Sequence, residues 1–148
     1  MIFVDANALI YLLHNVKPKS DLVASYLERE GACTSLRVVE EATYVLIRVK
    51  ATEKFGVRGP HQVAKIVERH GLGFVESELR ALRDLLNEYE ITVLRDRADV
   101  DELYETMVRY KLLPGDAIIA LTCKHYGVKT ILTFDEDFKR VPWLRVVP

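Results

Sequence analysis

The sequence predicts a three-layer α/β/α domain built on a central, mainly parallel sheet of four or five strands. Three observations lead there. Short apolar runs recur at 2–4, 32–34, 91–94, 130–134 and 144–147, each bounded by polar or turn-forming residues. The intervals between most of them carry apolar residues at helical spacing. These intervals are also long enough for the helical crossovers that parallel pairing requires. No repeat, linker or low-complexity tract divides the 148 residues, so one domain over 1–148 is expected.

The elements follow in order. "IFV" (2–4) reads as a strand and "DANALIYLL" (5–13) as the turn into a helix. "SDLVASYLERE" (20–30) has apolar residues at 22, 23, 26 and 27, with Ser20 placed to cap it and Gly31 to stop it. "ACT" (32–34) is the second strand, and Ser35 stands as N-cap of a helix through "LRVVEEATYVLIRV" (36–49). Helices are predicted at 59–71 and 76–89, then a third strand in "ITVL" (91–94). "DVDELYETMVRYK" (99–111) is amphipathic through Val100, Leu103, Tyr104 and Met107. "GDAIIALTCKHYG" (115–127) is apolar on nearly all sides and predicts a buried helix. "TILTF" (130–134) is the fourth strand, and "LRVV" (144–147) reads as a short fifth.

Composition narrows the function classes. At 49% hydrophobic and 29% charged, with 7 Gly and 5 Pro, the chain is ordinary for a globular domain. A net charge of −1 means that any polyanion contact must come from a local patch. One such patch is residues 48–69, where Arg48, Lys50, Lys54, Arg58, Lys65 and Arg69 face only Glu53 and Glu68. Lys54, Phe55 and Arg58 beside Gly56 and Gly59 are readable either as a mobile arm, with Phe55 stacking on a base, or as a helical hairpin with Phe55 in the core. Cys33 and Cys123 do not make a disulfide framework and point to reduced thiols. No stretch approaches 18 apolar residues and the N-terminus lacks leader features, so a cytoplasmic protein is expected.

The acidic residues carry the chemistry. Asp5 directly follows the first strand and Asp135 the fourth, so both should project from the carboxyl edge of the sheet, where ligands of open α/β sheets bind. Advancing about 100° per residue, Val38, Val39, Ala42, Val45, Leu46 and Val49 share one side of their helix. Glu40 lies opposite that stripe and Glu41 on its flank, where an acid needs compensation, by a site or by a basic partner. Asp116, in "LLPGDAIIA", is readable as a plain N-cap or as a fourth acid facing the same edge. Converging, Asp5, Glu41, Asp116 and Asp135 would repel one another unless a cation neutralised them. Oxygen-only ligands suit Mg²⁺ or Mn²⁺, and the four histidines show no zinc-ligand spacing.

Three blocks go further: "IFVDANALIYLL", "TSLRVVEEATYVL" and "LPGDAIIALTCKHYGVKTILTFDEDF". In these, and in length and element order, the chain resembles the PIN-domain ribonucleases, most nearly the small VapC-type toxins of prokaryotic toxin–antitoxin pairs. The resemblance implies that Asp5, Glu41 (rather than Glu40), Asp116 and Asp135 are the catalytic acids. It matches Asn7 and Thr133 to supporting polar residues and Asp137 to an additional acid of the last motif. It further implies metal-dependent cleavage of RNA phosphodiesters, with Asp5, Asp116 and Asp135 holding Mg²⁺ or Mn²⁺ and Glu41 positioning or deprotonating the nucleophile. An antitoxin protein and a homodimer or higher homo-oligomer are the expected partners. Glu136 reads as solvated and Phe138 as a packing anchor.

Rival readings fare less well. A receiver-type domain would want an acidic pair after its first strand and a Lys after a late one. A haloacid-dehalogenase-type phosphatase would want D-x-D where this chain has D-A-N. A PIN nuclease that processes RNA without a toxin role, or a catalytically silent PIN-like module that binds protein, stays as the alternative.

Overall fold

Ile2, Phe3 and Val4 are each fully buried, so the first apolar run can only be an interior strand, β1 (Ile2–Val4). Around it stand β2 (Ala32–Ser35), β3 (Thr92–Leu94), β4 (Thr130–Leu132) and β5 (Arg145–Val147). All pair in parallel, in the order β3-β2-β1-β4-β5, in the computed structural model, which describes residues 1–148. The chain therefore builds outward from β1 to one edge, then returns to β1's other side to lay down β4 and β5. The β1–β4 boundary is the point where strand order reverses, and ligand crevices of such sheets open there.

Seven helices flank the sheet: α1 (Ala6–Leu13), α2 (Lys19–Leu27), α3 (Leu36–Phe55), α4 (Pro60–His70), α5 (Glu76–Glu88), α6 (Val100–Tyr110) and α7 (Pro114–Tyr126). α1, α2, α3, α4 and α5 pack among themselves, α6 packs on α7, and α3 also meets α7. Phe3, Leu9, Val38, Leu46, Ile119, Ile131 and Phe138 are among the fully buried side chains at the centre. Val38 and Leu46 confirm the predicted inner face of α3, whereas Val49 at its margin is exposed. Cys33 and Cys123 are buried and free, and burial raises both thiols, Cys33 to about 11. No helix is long and apolar enough to cross a membrane.

The structure departs from the sequence-based expectations in four places, and at Phe55 it decides between two readings. Ser20 is buried inside α2, not its cap: the helix starts at Lys19, and the Ser20 hydroxyl reaches Asn15 Oδ1 at 3.4 Å. α3 continues past residue 49 to Phe55 and stops where Gly56 adopts φ +68°, a left-handed conformation that glycine tolerates best. Ser35 occupies the N-cap position of α3, but its buried hydroxyl makes no hydrogen bond. The Asp96 carboxylate takes over, accepting the Arg37 N–H at 3.0 and 3.3 Å. Phe55 is no mobile arm; it stacks on His70 at 4.7 Å and meets Phe74 edge-on at 5.4 Å, closing the α3–α4 hairpin. Val100 and Tyr104 face outward on α6 together with Val108, while Leu103 and Met107 pack inward.

Candidate active site

Register brings the first and last motifs together. Val4 pairs with Leu132, and the Asp5 N–H donates to the Leu132 carbonyl at 3.0 Å, so the chain leaves both strands at the same level. Asp5 is there the N-cap of α1, its Oδ1 accepting the Ala6 N–H at 2.8 Å. Its Oδ2 accepts the Thr133 hydroxyl at 2.6 Å. Thr133 has a single proton and spends it on Asp5; the same oxygen accepts from Asn7 Nδ2 at 3.3 Å and from the Asp135 N–H at 3.0 Å. Asn7 in turn accepts the Phe134 N–H through Oδ1 at 3.2 Å. Asn7 and Thr133, matched to supporting roles from sequence, thus lock the turn after β4 onto the turn after β1.

The turn after β4 supplies the acids. Asp135 caps a short 3-10 helix, Glu136–Arg140, by accepting the Asp137 N–H at 2.9 Å. Phe138 anchors that helix in the core, and Glu136 is exposed and paired with Lys139, both as expected. Asp116 enters from α7. It is the third residue of that helix, whose N-cap is Leu113, so the plain-cap reading does not hold. Glu41 arrives half-buried on the flank of α3, while Glu40 is exposed and paired with Arg37.

Carboxylate oxygens of Asp116, Asp135 and Asp137 lie within 4.8 Å of one another. Asp5 and Glu41 stand outside that group but couple to it electrostatically. Burial, then repulsion from Asp5, Asp135, Glu41 and Asp137, pushes the Asp116 carboxyl up to about 7. Burial also raises Asp5, against the lowering effect of its bonds to Thr133 and Ala6, and Asp135 adds to the rise. Glu41 is raised by burial and by Asp5, with Arg37 opposing. Three oxygen ligands at this spacing, with protons or a cation needed to quiet them, fit a hard divalent ion.

Three contributors escaped the sequence reading. Arg140 donates to Asp137 Oδ1 at 2.8 Å and to the Tyr110 and Lys111 carbonyls at 2.9 and 2.7 Å, tying the acid turn to the end of α6. Its spacing three residues after Asp137 was the available signal. Arg37 lies one turn before Glu41, an i,i+4 relation readable from sequence. Asp96 had no local signal, because its partner is 59 positions away.

The family model for the PIN domain matches residues 2–144. The chain is 28% identical to Ribonuclease VapC2 of Methanocaldococcus jannaschii over 149 residues, spanning 99% of this chain and 92% of that relative. Among solved structures it superposes on Mycobacterium tuberculosis VapC20, a sarcin–ricin loop cleaving toxin, with TM-score 0.62 at 17% identity over the whole of both chains. With VapBC2 from Rickettsia felis, crystallised bound to a DNA fragment from their promoter, the TM-score is 0.60 at 16% identity, covering 99% and 98% of the two chains. At such identities the structural likeness speaks for the fold.

Proposed function

The chain belongs to the PIN-domain family, and from that premise we propose that it is a divalent-metal-dependent endoribonuclease of the VapC type, the toxin of a toxin–antitoxin pair. The single observation that carries this reading is the acid group at the β1–β4 switch point, where Asp116, Asp135 and Asp137 converge beside Asp5 and Glu41. The name of the M. jannaschii relative, a ribonuclease, supports RNA as substrate.

Asp5, Asp116 and Asp135 would hold Mg²⁺ or Mn²⁺ directly or through water, with Asp137 beside Asp116 and Asp135 on the turn side. When bound, the ion supplies Lewis acidity toward the scissile phosphate and offsets the carboxylate charge. The remaining chemistry belongs to the chain. Thr133 and the Ala6 N–H orient both oxygens of Asp5, so that acid is held in one geometry. Glu41, half-buried and raised by burial and by Asp5, accepts the proton of the attacking water at its carboxylate. Arg140 neutralises Asp137 and fixes the turn.

We assign the partners in the same reading: an antitoxin protein, as in the VapBC complex of R. felis, and a second copy of the chain. Val100, Tyr104 and Val108 form one exposed apolar stripe along α6, which supports a homo-oligomer. We assign it to the cytoplasm in the same reading, which an RNA substrate and two unpaired cysteines support.

Incubation with single-stranded and structured RNA, with Mg²⁺, Mn²⁺ or EDTA, tests the activity. Cleavage requires metal and disappears in Asp5→Asn. That variant keeps the Oδ1 acceptor for Ala6 and stays folded. A wild type that cuts no RNA with either metal would identify a silent protein-binding module instead.

A further inference from the structure

The acid group at the sheet edge repels the polyanion that the proposed reaction brings to it, so a cation left free at its rim has a use. Those already described there are committed: Arg37 pairs with Glu40, Lys139 with Glu136 and Arg140 with Asp137. Lys19 is not. It is the first residue of α2, and the one acid of that helix, Asp21, is taken by Lys17. A cation at a helix N-terminus opposes the helix dipole, so α2 itself gains nothing from a lysine there.

Folding carries Lys19 to the acid turn. On α1, Tyr11 stands one turn after Asn7 on the same face. Asn7 Oδ1 accepts the N–H of Phe134, the residue between Thr133 and Asp135. Tyr11 and Phe134 accordingly meet edge to face, their ring centroids 5.2 Å apart and their planes at 85°. α2 packs back against α1 and lays the Lys19 ammonium 4.3 Å from the Tyr11 centroid and 5.4 Å from that of Phe134. The rings cover one side of the ammonium. Lys19 is half-exposed, and its protons find no oxygen of the chain, those of Asp135 included. The side chain is seated while its charge stays open to a ligand, beside the residue that precedes Asp135.

We propose that Lys19 is a substrate-positioning residue: its ammonium, seated on Tyr11 and Phe134, binds the backbone phosphate of the RNA next to the scissile one. A lysine suits this as a compact point charge with three donors. The ring contacts hold it in place without spending its charge on a carboxylate. The assignment rests on the nuclease reading above and adds to it the group that grips the substrate beside the ion site.

The test uses the full chain, with a single-stranded RNA oligonucleotide as probe. Lys19→Gln keeps a stem over the rings without the charge. It raises KM about 10-fold and leaves kcat within about twofold, as for a contact equally strong in substrate and transition state. In the Asp5→Asn background, where RNA is bound and not cut, the same substitution takes about 0.7 from the log–log slope of affinity against salt, one phosphate contact on a single strand. Lys19→Arg restores the slope and most of the KM. Tyr11→Leu keeps apolar volume against Phe134 but removes the seat, and KM rises part of the way, about 3-fold. Lys19→Gln melts within about 4 °C of wild type, so unfolding does not account for these changes.

An unchanged KM and salt slope in Lys19→Gln overturns the phosphate contact and leaves the lysine a packing residue. A weaker affinity with an unchanged salt slope overturns it as well, since the rings and not the charge then carry the effect. If the wild type cuts no RNA while Lys19 still sets the salt slope of binding, the contact stands and the nuclease reading falls; metal-dependent cleavage that ignores Lys19→Gln does the reverse.

Discussion

Asp5 and Asp116 are both acids at the sheet edge, yet the structure treats them oppositely. Asp5 has each oxygen engaged by a donor and is almost wholly buried. Asp116 accepts no hydrogen bond from the chain and is left to burial and like charge, which is why its carboxyl rises to about 7. A carboxyl raised above its unfolded value favours the fold below about pH 4 and withdraws that contribution as pH climbs through about 7. In EDTA, then, the wild type loses stability across that window relative to Asp116→Asn, and the variant melts higher at pH 7. Paired melting curves from pH 4 to 8 measure the difference; parallel curves would show that Asp116 is not strained by its neighbours. Asp5→Asn, by contrast, is expected to abolish cleavage while RNA binding persists, because it alters a held carboxylate and leaves the rim intact.

Among the elements, α3 matters most to the site, since it carries Arg37 and Glu41 on one turn. Its N-terminus lacks a side-chain cap from Ser35 and is secured by Asp96. Asp96→Ala should therefore cost about 1 kcal/mol in urea unfolding, the usual worth of a lost N-cap. It should also slow cleavage more than that loss of stability explains, because the cap fixes the turn that bears both side chains. Ser35→Ala should cost less, having no bond to lose; a larger loss there would reverse the assignment of the cap. α7 contributes in another way: its buried face, with Ile119, Ala120 and Cys123, fixes the helix so that its first turn meets the β1–β4 edge.

Over the whole molecule the net charge is near zero, but it is unevenly placed. Acids gather at the switch point, while the basic excess of 48–69 is distributed over α3 and α4, where Lys50 is already paired with Glu53 and Glu78. Folding concentrates the charge that repels, so ion binding and stability are linked. An ion that binds the folded chain alone stabilises it by RT ln(1 + [ion]/Kd), about 2.7 kcal/mol at a hundredfold excess over Kd. Mn²⁺ should raise the melting temperature of the wild type, EDTA should reverse the shift, and Asp116→Asn or Asp135→Asn should nearly erase it. Equal shifts in the wild type and both variants would place the ion elsewhere.

Sequence alone determined the alternation of strands and helices, the parallel sheet, and which acids leave strand ends, because these follow from local periodicity and chain order. Asp5 was legible for that reason and Asp135 approximately so, since β4 ends at Leu132 and Thr133 and Phe134 intervene before Asp135; Glu41 was separable from Glu40 by the inner face of α3. Tertiary structure decided what depends on through-space neighbours. It set β1 beside β4 so that Thr133 could hold Asp5 across 128 positions, and it grouped Asp137 with Asp116 and Asp135. It gave the cap of α3 to Asp96 and laid Lys19 over Tyr11 beside the acid turn. Hydrogen bonds and charges act over a few ångströms in space, whereas periodicity reports only on neighbours along the chain, so partners this distant in sequence become visible only once the sheet has assembled.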